Sequence, residues 1–223
     1  MNFYPKPTKL VDCRDHGLDS LSELFIVEGD SASQAVARAR DPNTQAVLPM
    51  QGKPINALKA SRKSILGNDL LSALIDALGS PWDQEFDLTR LRYARVILLF
   101  DPDADGIHCS ALMMMFFYRW MPELIESGKL SVVRAPLYEF ISPQYSDSIH
   151  AFSDEHSREV RRALDAKQIQ YQTRRFRGLA SLNASTLLTS CLDPQTRRAE
   201  VIRIEDAQAA INIFGGKRQQ RSE

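Results

Sequence analysis

The stretch Val96-Ile97-Leu98-Leu99-Phe100-Asp101-Pro102-Asp103-Ala104-Asp105-Gly106 sets five apolar residues directly against three alternating acids. The apolar run has the length and branched side chains of a strand. It shows no polar alternation, so both of its faces require cover. Pro102 favours extended backbone at Asp101, as a strand end needs. Downstream, Ala111 to Met121 reads as a buried helix, broken by Arg119 and too short to span a bilayer. Upstream, Leu24-Phe25-Ile26-Val27 is another unbroken apolar run, ending in Glu28-Gly29-Asp30-Ser31. Asp30 or Ser31 is expected to N-cap a helix over Ala32 to Arg40. Ala46-Val47-Leu48, closed by Pro49, predicts a strand, the spacing from about Gly67 to Leu78 predicts a helix, and Leu130 to Val133 predicts another strand. The order β-α-β-α-β-α-β predicts an α/β domain with a mostly parallel sheet flanked by helices.

The texture changes after about Ile141. Ser142 to Ser148 is polar, Asp154 to Asp165 reads as a charged helix, and Val201 to Ile204 alternates like a half-exposed strand. This predicts an N-terminal arm over 1–20, the α/β domain over 21–141, and a smaller α+β tail over 142–223, frayed from Gly215 onward. Lys plus Arg and Asp plus Glu are balanced at 28 each, against the basic excess usual in a free-standing DNA binder. Any DNA contact is therefore expected through a local patch or with a partner. Cys13, Cys109 and Cys191 are scattered, show no metal or disulfide spacing, and predict a reducing, cytoplasmic compartment. Met1 to Leu10 carries no apolar core of a secretory signal, and no membrane partner is expected.

Two predicted strands end in acids, Glu28 after the first and Asp101 after the third. Ligands of open α/β sheets bind beyond the carboxyl ends of the strands. In extended backbone Asp101, Asp103 and Asp105 would share a face. Four carboxylates converging there repel one another unless a cation lies between them. Hard oxygen donors suit Mg²⁺, with Mn²⁺ or Ca²⁺ as substitutes, and phosphate completes such a shell. D-x-D-x-D-G also opens an EF-hand loop, but that loop needs a helix before it and a Glu at its twelfth position, where Leu112 stands here.

Several further segments accompany these acids, in order: Pro49-Met50-Gln51-Gly52-Lys53 with Ile55-Asn56, Ala135-Pro136-Leu137-Tyr138, Arg175-Phe176-Arg177-Gly178-Leu179, and Asp193-Pro194-Gln195-Thr196-Arg197-Arg198. Together with Glu28-Gly29-Asp30-Ser31-Ala32 and Asp101 to Gly106, they resemble the TOPRIM domain and following tail of type IIA DNA topoisomerase B subunits, from about Lys9 to Phe214. The resemblance implies a Rossmann-like TOPRIM sheet. It implies Glu28, Asp101 and Asp103 as Mg²⁺ ligands, with Asp105 serving a second site. Glu28 gains a general acid/base role, and Lys53 a catalytic one against phosphate charge. Lys53, Asn56, His108, Arg175 and Arg177 are the implied DNA contacts. The implied partners are DNA and a separate A-type subunit that carries the nucleophilic tyrosine.

The sequence also departs from the family pattern. Nothing in it resembles the ATPase half of the family, so no nucleotide-binding residue is expected, and a separate ATPase subunit joins the candidate partners. Gln51 stands where the family has Lys or Arg. Ser110 replaces a basic residue, and Ser33 and Gln34 replace glycines. Two main readings stay open: an Mg²⁺-binding subunit completing a DNA cleavage-religation centre, or a non-catalytic paralogue that binds an A-type subunit or DNA and regulates it. A third, an independent TOPRIM nuclease or primase-like protein, is disfavoured by the tail.

Overall fold

The computed structural model describes residues 7–79 and 86–215. The first residues of the expected arm and the expected frayed end beyond Gly215 lie outside the described residues. The chain begins with β1 (Glu23–Glu28), α1 (Gly29–Ala39) and β2 (Gln45–Met50), then α2 (Arg62–Leu66) and α3 (Asp69–Leu78). β3 (Arg95–Leu99) leads into α4 (Ala104–Trp120), α5 (Pro122–Glu126) and β4 (Leu130–Val133). The rest supplies β5 (Tyr138–Ile141), β6 (Ile149–Ala151), α6 (Asp154–Ala166), β7 (Gln172–Arg175), α7 (Ala184–Leu187), β8 (Ala199–Val201) and α8 (Ile204–Phe214).

The main sheet has the order β2-β1-β3-β4-β8. Its first four strands are parallel, and β8 closes the edge antiparallel to β4. The unbroken apolar runs follow from cover on both faces. Leu24, Ile26, Leu48, Val96 and Leu98 point into one core with α3 and α4, while Phe25, Val27, Val47, Ile97 and Leu99 point into another with α1 and α7. The chain runs from β1 to β2 on one side, then returns to place β3 on the other side of β1. That reversal opens a crevice between the carboxyl ends of β1 and β3, the place where such sheets bind ligands. A second sheet, β6-β5-β7, is antiparallel and packs Phe140 and Ala151 against Leu164 of α6.

Three local expectations change, and one holds. β2 runs through Pro49, which an edge strand tolerates because it leaves one row of backbone groups unpaired. The helix expected over about 67–78 forms as α3, which Asn68 caps by accepting from the Leu71 amide at 3.1 Å, and the short α2 closed by Gly67 precedes it. The alternating stretch at 201–204 ends its strand at Val201, and Ile204 already opens α8. Glu28 itself sits at the N-cap of α1 and makes no side-chain cap bond.

A half-buried network anchors the segment before β1. Asp12 accepts from Tyr93 Oη at 2.6 Å and from Arg92 at 2.6 Å, with His16 Nε2 at 3.1 Å. Burial alone would raise the Asp12 pKa, but hydrogen bonds from Tyr93, His16 and Arg92, with the Arg92 charge, hold it well below the usual carboxylate range. Its stabilising contribution is therefore present above the ordinary value of 3.8 and is lost as pH falls below it. Tyr93→Phe is expected to cost about 1–3 kcal/mol in urea unfolding at pH 7, as removal of a hydrogen bond to a buried charge does. It should also flatten the acid-side loss of stability between roughly pH 5 and 2. An unchanged midpoint would show that the Asp12 network does not hold this segment.

Candidate metal centre

β1 and β3 deliver Glu28 and Asp101 side by side because the two strands pair in parallel, Val27 opposite Leu99. Gly29, at φ 74°, makes the turn that stops β1 at Glu28, a backbone region disfavoured for residues with a side chain. After Asp101 the chain does not stay extended, which corrects the expectation that the three aspartates share a strand face. Asp103 is the N-cap of α4, with Oδ1 accepting from the Gly106 amide at 2.8 Å, and Asp105 lies in the first helical turn. Gly106 packs so close to the Asp101 backbone that an added Cβ would overlap its carbonyl oxygen. The motif's glycine thus lets α4 start directly against the end of β3.

Each aspartate is oriented by its own donor: Asp101 Oδ1 by the Leu179 amide at 2.7 Å, Asp103 by Gly106, and Asp105 by Lys53 Nζ at 2.5 Å. The charges of these groups act on one another. Burial raises the Glu28 pKa, the charges of Asp101, Asp103 and Asp105 raise it further, and Lys53 partly offsets them. Burial and the Asp103 charge likewise raise Asp101, against the Leu179 amide. The hydrogen bond from Lys53, then its charge, lowers Asp105, and the same pairing raises Lys53. Burial and the nearby Glu28 charge push the Cys109 thiol up to about 11, so it stays neutral behind the acids.

The donor set fits a hard divalent cation. Among the described residues, no three of these four acids bring ligand atoms within 4.8 Å of one another. Mg²⁺ commonly takes one or two carboxylates and fills its shell with water and phosphate, so separately held acids facing an open crevice suit it better than a closed cage. Asp12, Cys13 and His16 do approach within 4.8 Å, a local grouping that sequence reading missed because it carries no recognised metal-ligand spacing. There, however, Arg92 Nη2 lies 2.6 Å from Asp12 Oδ2 and 3.0 Å from His16 Nε2, and the Cys13 thiol is pushed up to about 11 by burial, then by the Asp12 charge. Arg92 already serves as the cation of that cluster.

The remaining candidates occupy different settings. Lys53 is exposed and joined to the acids through Asp105. Asn56 is half-buried and spends its Oδ1 on the Leu58 amide at 3.1 Å. His108 stacks on Phe214, ring centroids 5.4 Å apart. Arg175 is exposed on β7 with its guanidinium 5.7 Å from the Tyr138 ring centroid, and exposed Arg177 directly precedes the turn that touches Asp101. Gln51 donates to both oxygens of Asp30, at 3.2 and 3.1 Å, where Lys9 also binds. Beside Asp101 a cavity of about 440 Å³ opens between α4, α8, the end of β4 and the turn into α6, walled by Met114, Leu137, Phe152 and Phe214.

Residues 23–135, which span β1 through β4 and both acid-bearing strand ends, match the family model described as "Toprim domain". The chain belongs to the Toprim domain family. Relatives of this Toprim chain include the DNA gyrase B subunits of Archaeoglobus fulgidus and of Thermotoga maritima, each 38% identical over 208 residues, 93% of this chain and 32% of the relative. A novobiocin-resistant DNA gyrase B subunit of Streptomyces niveus is 37% identical over 214 residues, 93% of this chain and 31% of the relative. The chain spans about a third of the length of these curated relatives. The similarity continues through the C-terminal segments that carry Gly178 and Arg197, which lie beyond the Toprim match. Among the described residues, no helix is long and apolar enough to cross a membrane.

Proposed function

We propose that this chain is the Mg²⁺-binding Toprim subunit of a type IIA topoisomerase-like enzyme. It would complete a DNA cleavage-religation centre with a separate A-type subunit that carries the nucleophilic tyrosine. The observation that carries this reading is the placement of Glu28 and Asp101 beyond the adjacent carboxyl ends of β1 and β3, beside Asp103 and Asp105 at the start of α4 and Lys53 bound to Asp105. Glu28, Asp101 and Asp103 would hold the ion, with Asp105 serving a second position; Mn²⁺ or Ca²⁺ would substitute. When bound, the ion supplies positive charge beside the scissile phosphate. Glu28, its pKa raised by burial and by its acidic neighbours, exchanges a proton with the ribose oxygen that leaves and returns. Lys53 stays charged and faces the phosphate that develops negative charge. Asn56, His108, Arg175 and Arg177 are the proposed DNA contacts. Any ATPase comes from another polypeptide segment, and the setting is the cytoplasm.

A second reading, a non-catalytic paralogue that binds an A-type subunit or DNA and regulates it, is favoured by Gln51. This position has no cation and binds Asp30 instead. Asp103→Asn separates the two. Asparagine keeps the N-cap acceptor of α4 but removes a negative charge. The variant should fold normally and need several-fold more Mg²⁺ for half-maximal cleavage of supercoiled DNA in the presence of the A-type partner. Wild-type protein that binds this partner yet never cleaves would leave the regulatory reading standing.

A further inference from the structure

Asp101 does not stand alone at the end of β3. Its carboxylate lies against Gly178, so close that a Cβ there would sit inside van der Waals contact with both oxygens, and Oδ1 takes the Leu179 amide at 2.7 Å. Gly178 has φ 157° and ψ 176°, a region open essentially to glycine alone. The turn is itself held from two sides. Ser181 Oγ donates to the Gly178 carbonyl at 2.6 Å and accepts from the Arg177 amide at 3.0 Å. Phe176 and Leu179, both fully buried, pack in the same core as Val27 and Leu99, near the ends of the two acid-bearing strands. A segment beyond residue 135 is thus fastened to the sheet just behind the acidic crevice and reaches one of its carboxylates.

We propose that the Gly178–Leu179 turn is a positioning element for the metal centre. It fixes the plane and rotation of the Asp101 carboxylate, so that its affinity for a divalent cation depends on the C-terminal segment as well as on the Toprim sheet. The physical basis is that a ligand's own hydrogen-bond partners orient it and set its basicity. A backbone amide suits this task here. It donates one bond, adds no charge to compete with the cation, and is rigid because the turn is packed. This inference rests on the Mg²⁺ reading of the four acids.

Mn²⁺ titration of the full chain, followed by electron paramagnetic resonance of the free ion and run with thermal melts, tests it without any turnover. Gly178→Ala is expected to weaken Mn²⁺ binding roughly 10–100-fold, the usual effect of losing a ligand's supporting partner. Ser181→Ala, which only loosens the turn, should weaken it several-fold at an unchanged melting temperature, and Ser181→Thr should restore it. If Gly178→Ala fails to fold, the Ser181 pair decides alone. Wild-type binding matched by both alanine variants overturns the positioning role while leaving the acid site intact. No Mn²⁺ binding by the wild type, with or without a short DNA duplex, overturns the acid site and this inference with it.

Discussion

Glu28→Gln is expected to lower Mg²⁺-dependent DNA cleavage, assayed with the A-type partner, by roughly 10²–10⁴-fold, the range of a lost general acid/base. Glutamine keeps the shape but binds a cation poorly and cannot exchange a proton. The same substitution should stabilise the metal-free protein. Burial and three acidic neighbours raise the Glu28 pKa, so ionising it costs the fold free energy. For such a group the stabilising contribution is complete below the unfolded-state value and is lost as pH rises through the raised folded-state value. In a chelator, wild-type protein should therefore lose stability relative to the Gln variant as pH rises through the raised Glu28 value. The Gln variant should melt higher at pH 7. Activity falling together with stability would mean that Glu28 is structural, whereas activity falling while stability rises marks a functional site.

Arg197→Ala is expected to cost about 3–5 kcal/mol, the usual penalty for breaking a buried ion pair by removing one partner. The Arg197 and Glu23 side chains are only 3% and 4% exposed and are joined by two guanidinium-carboxylate hydrogen bonds. Arg197 also donates to the Leu192 carbonyl at 2.9 Å, and Gln45 reaches Glu23 at 3.2 Å. Removing the guanidinium leaves Glu23 charged and enclosed at the amino end of β1. Replacing both partners with apolar residues of similar volume should cost much less, because the penalty lies in the orphaned charge. Urea unfolding of Arg197→Ala and the double variant measures both quantities. A loss below about 1 kcal/mol for Arg197→Ala would place the pair among weak surface contacts.

The sequence reveals the sheet because its strands are unbroken apolar runs and its acids stand where those runs stop. Length and turn chemistry are enough to separate Leu24–Val27 and Val96–Phe100 from the helices around them. The placement of the individual aspartates is harder to read. An alternating D-x-D-x-D suggests one face of an extended chain, but Asp103 instead caps α4, because a short acid beside free amides is drawn to the helix start. The same competition misleads the reading of α1: Asp30 and Ser31 are good caps by residue type, yet the helix begins at Gly29, and Asp30 turns to Lys9 and Gln51. The contacts between distant segments leave no local signal. Neither Leu179 on Asp101 nor Arg197 on Glu23 follows from spacing, since the pairs lie 78 and 174 positions apart. Gly178 gives a partial signal, because a glycine before a buried leucine suggests a close backbone approach without saying to what.

The most direct test is the location of a divalent cation in crystals of the chain grown with a short DNA duplex and soaked in Mn²⁺, read from the Mn²⁺ anomalous signal. The account predicts a peak among Glu28, Asp101 and Asp103, beside a DNA phosphate. A peak only at Asp12, Cys13 and His16, or none at the strand-end acids with DNA in place, would contradict it.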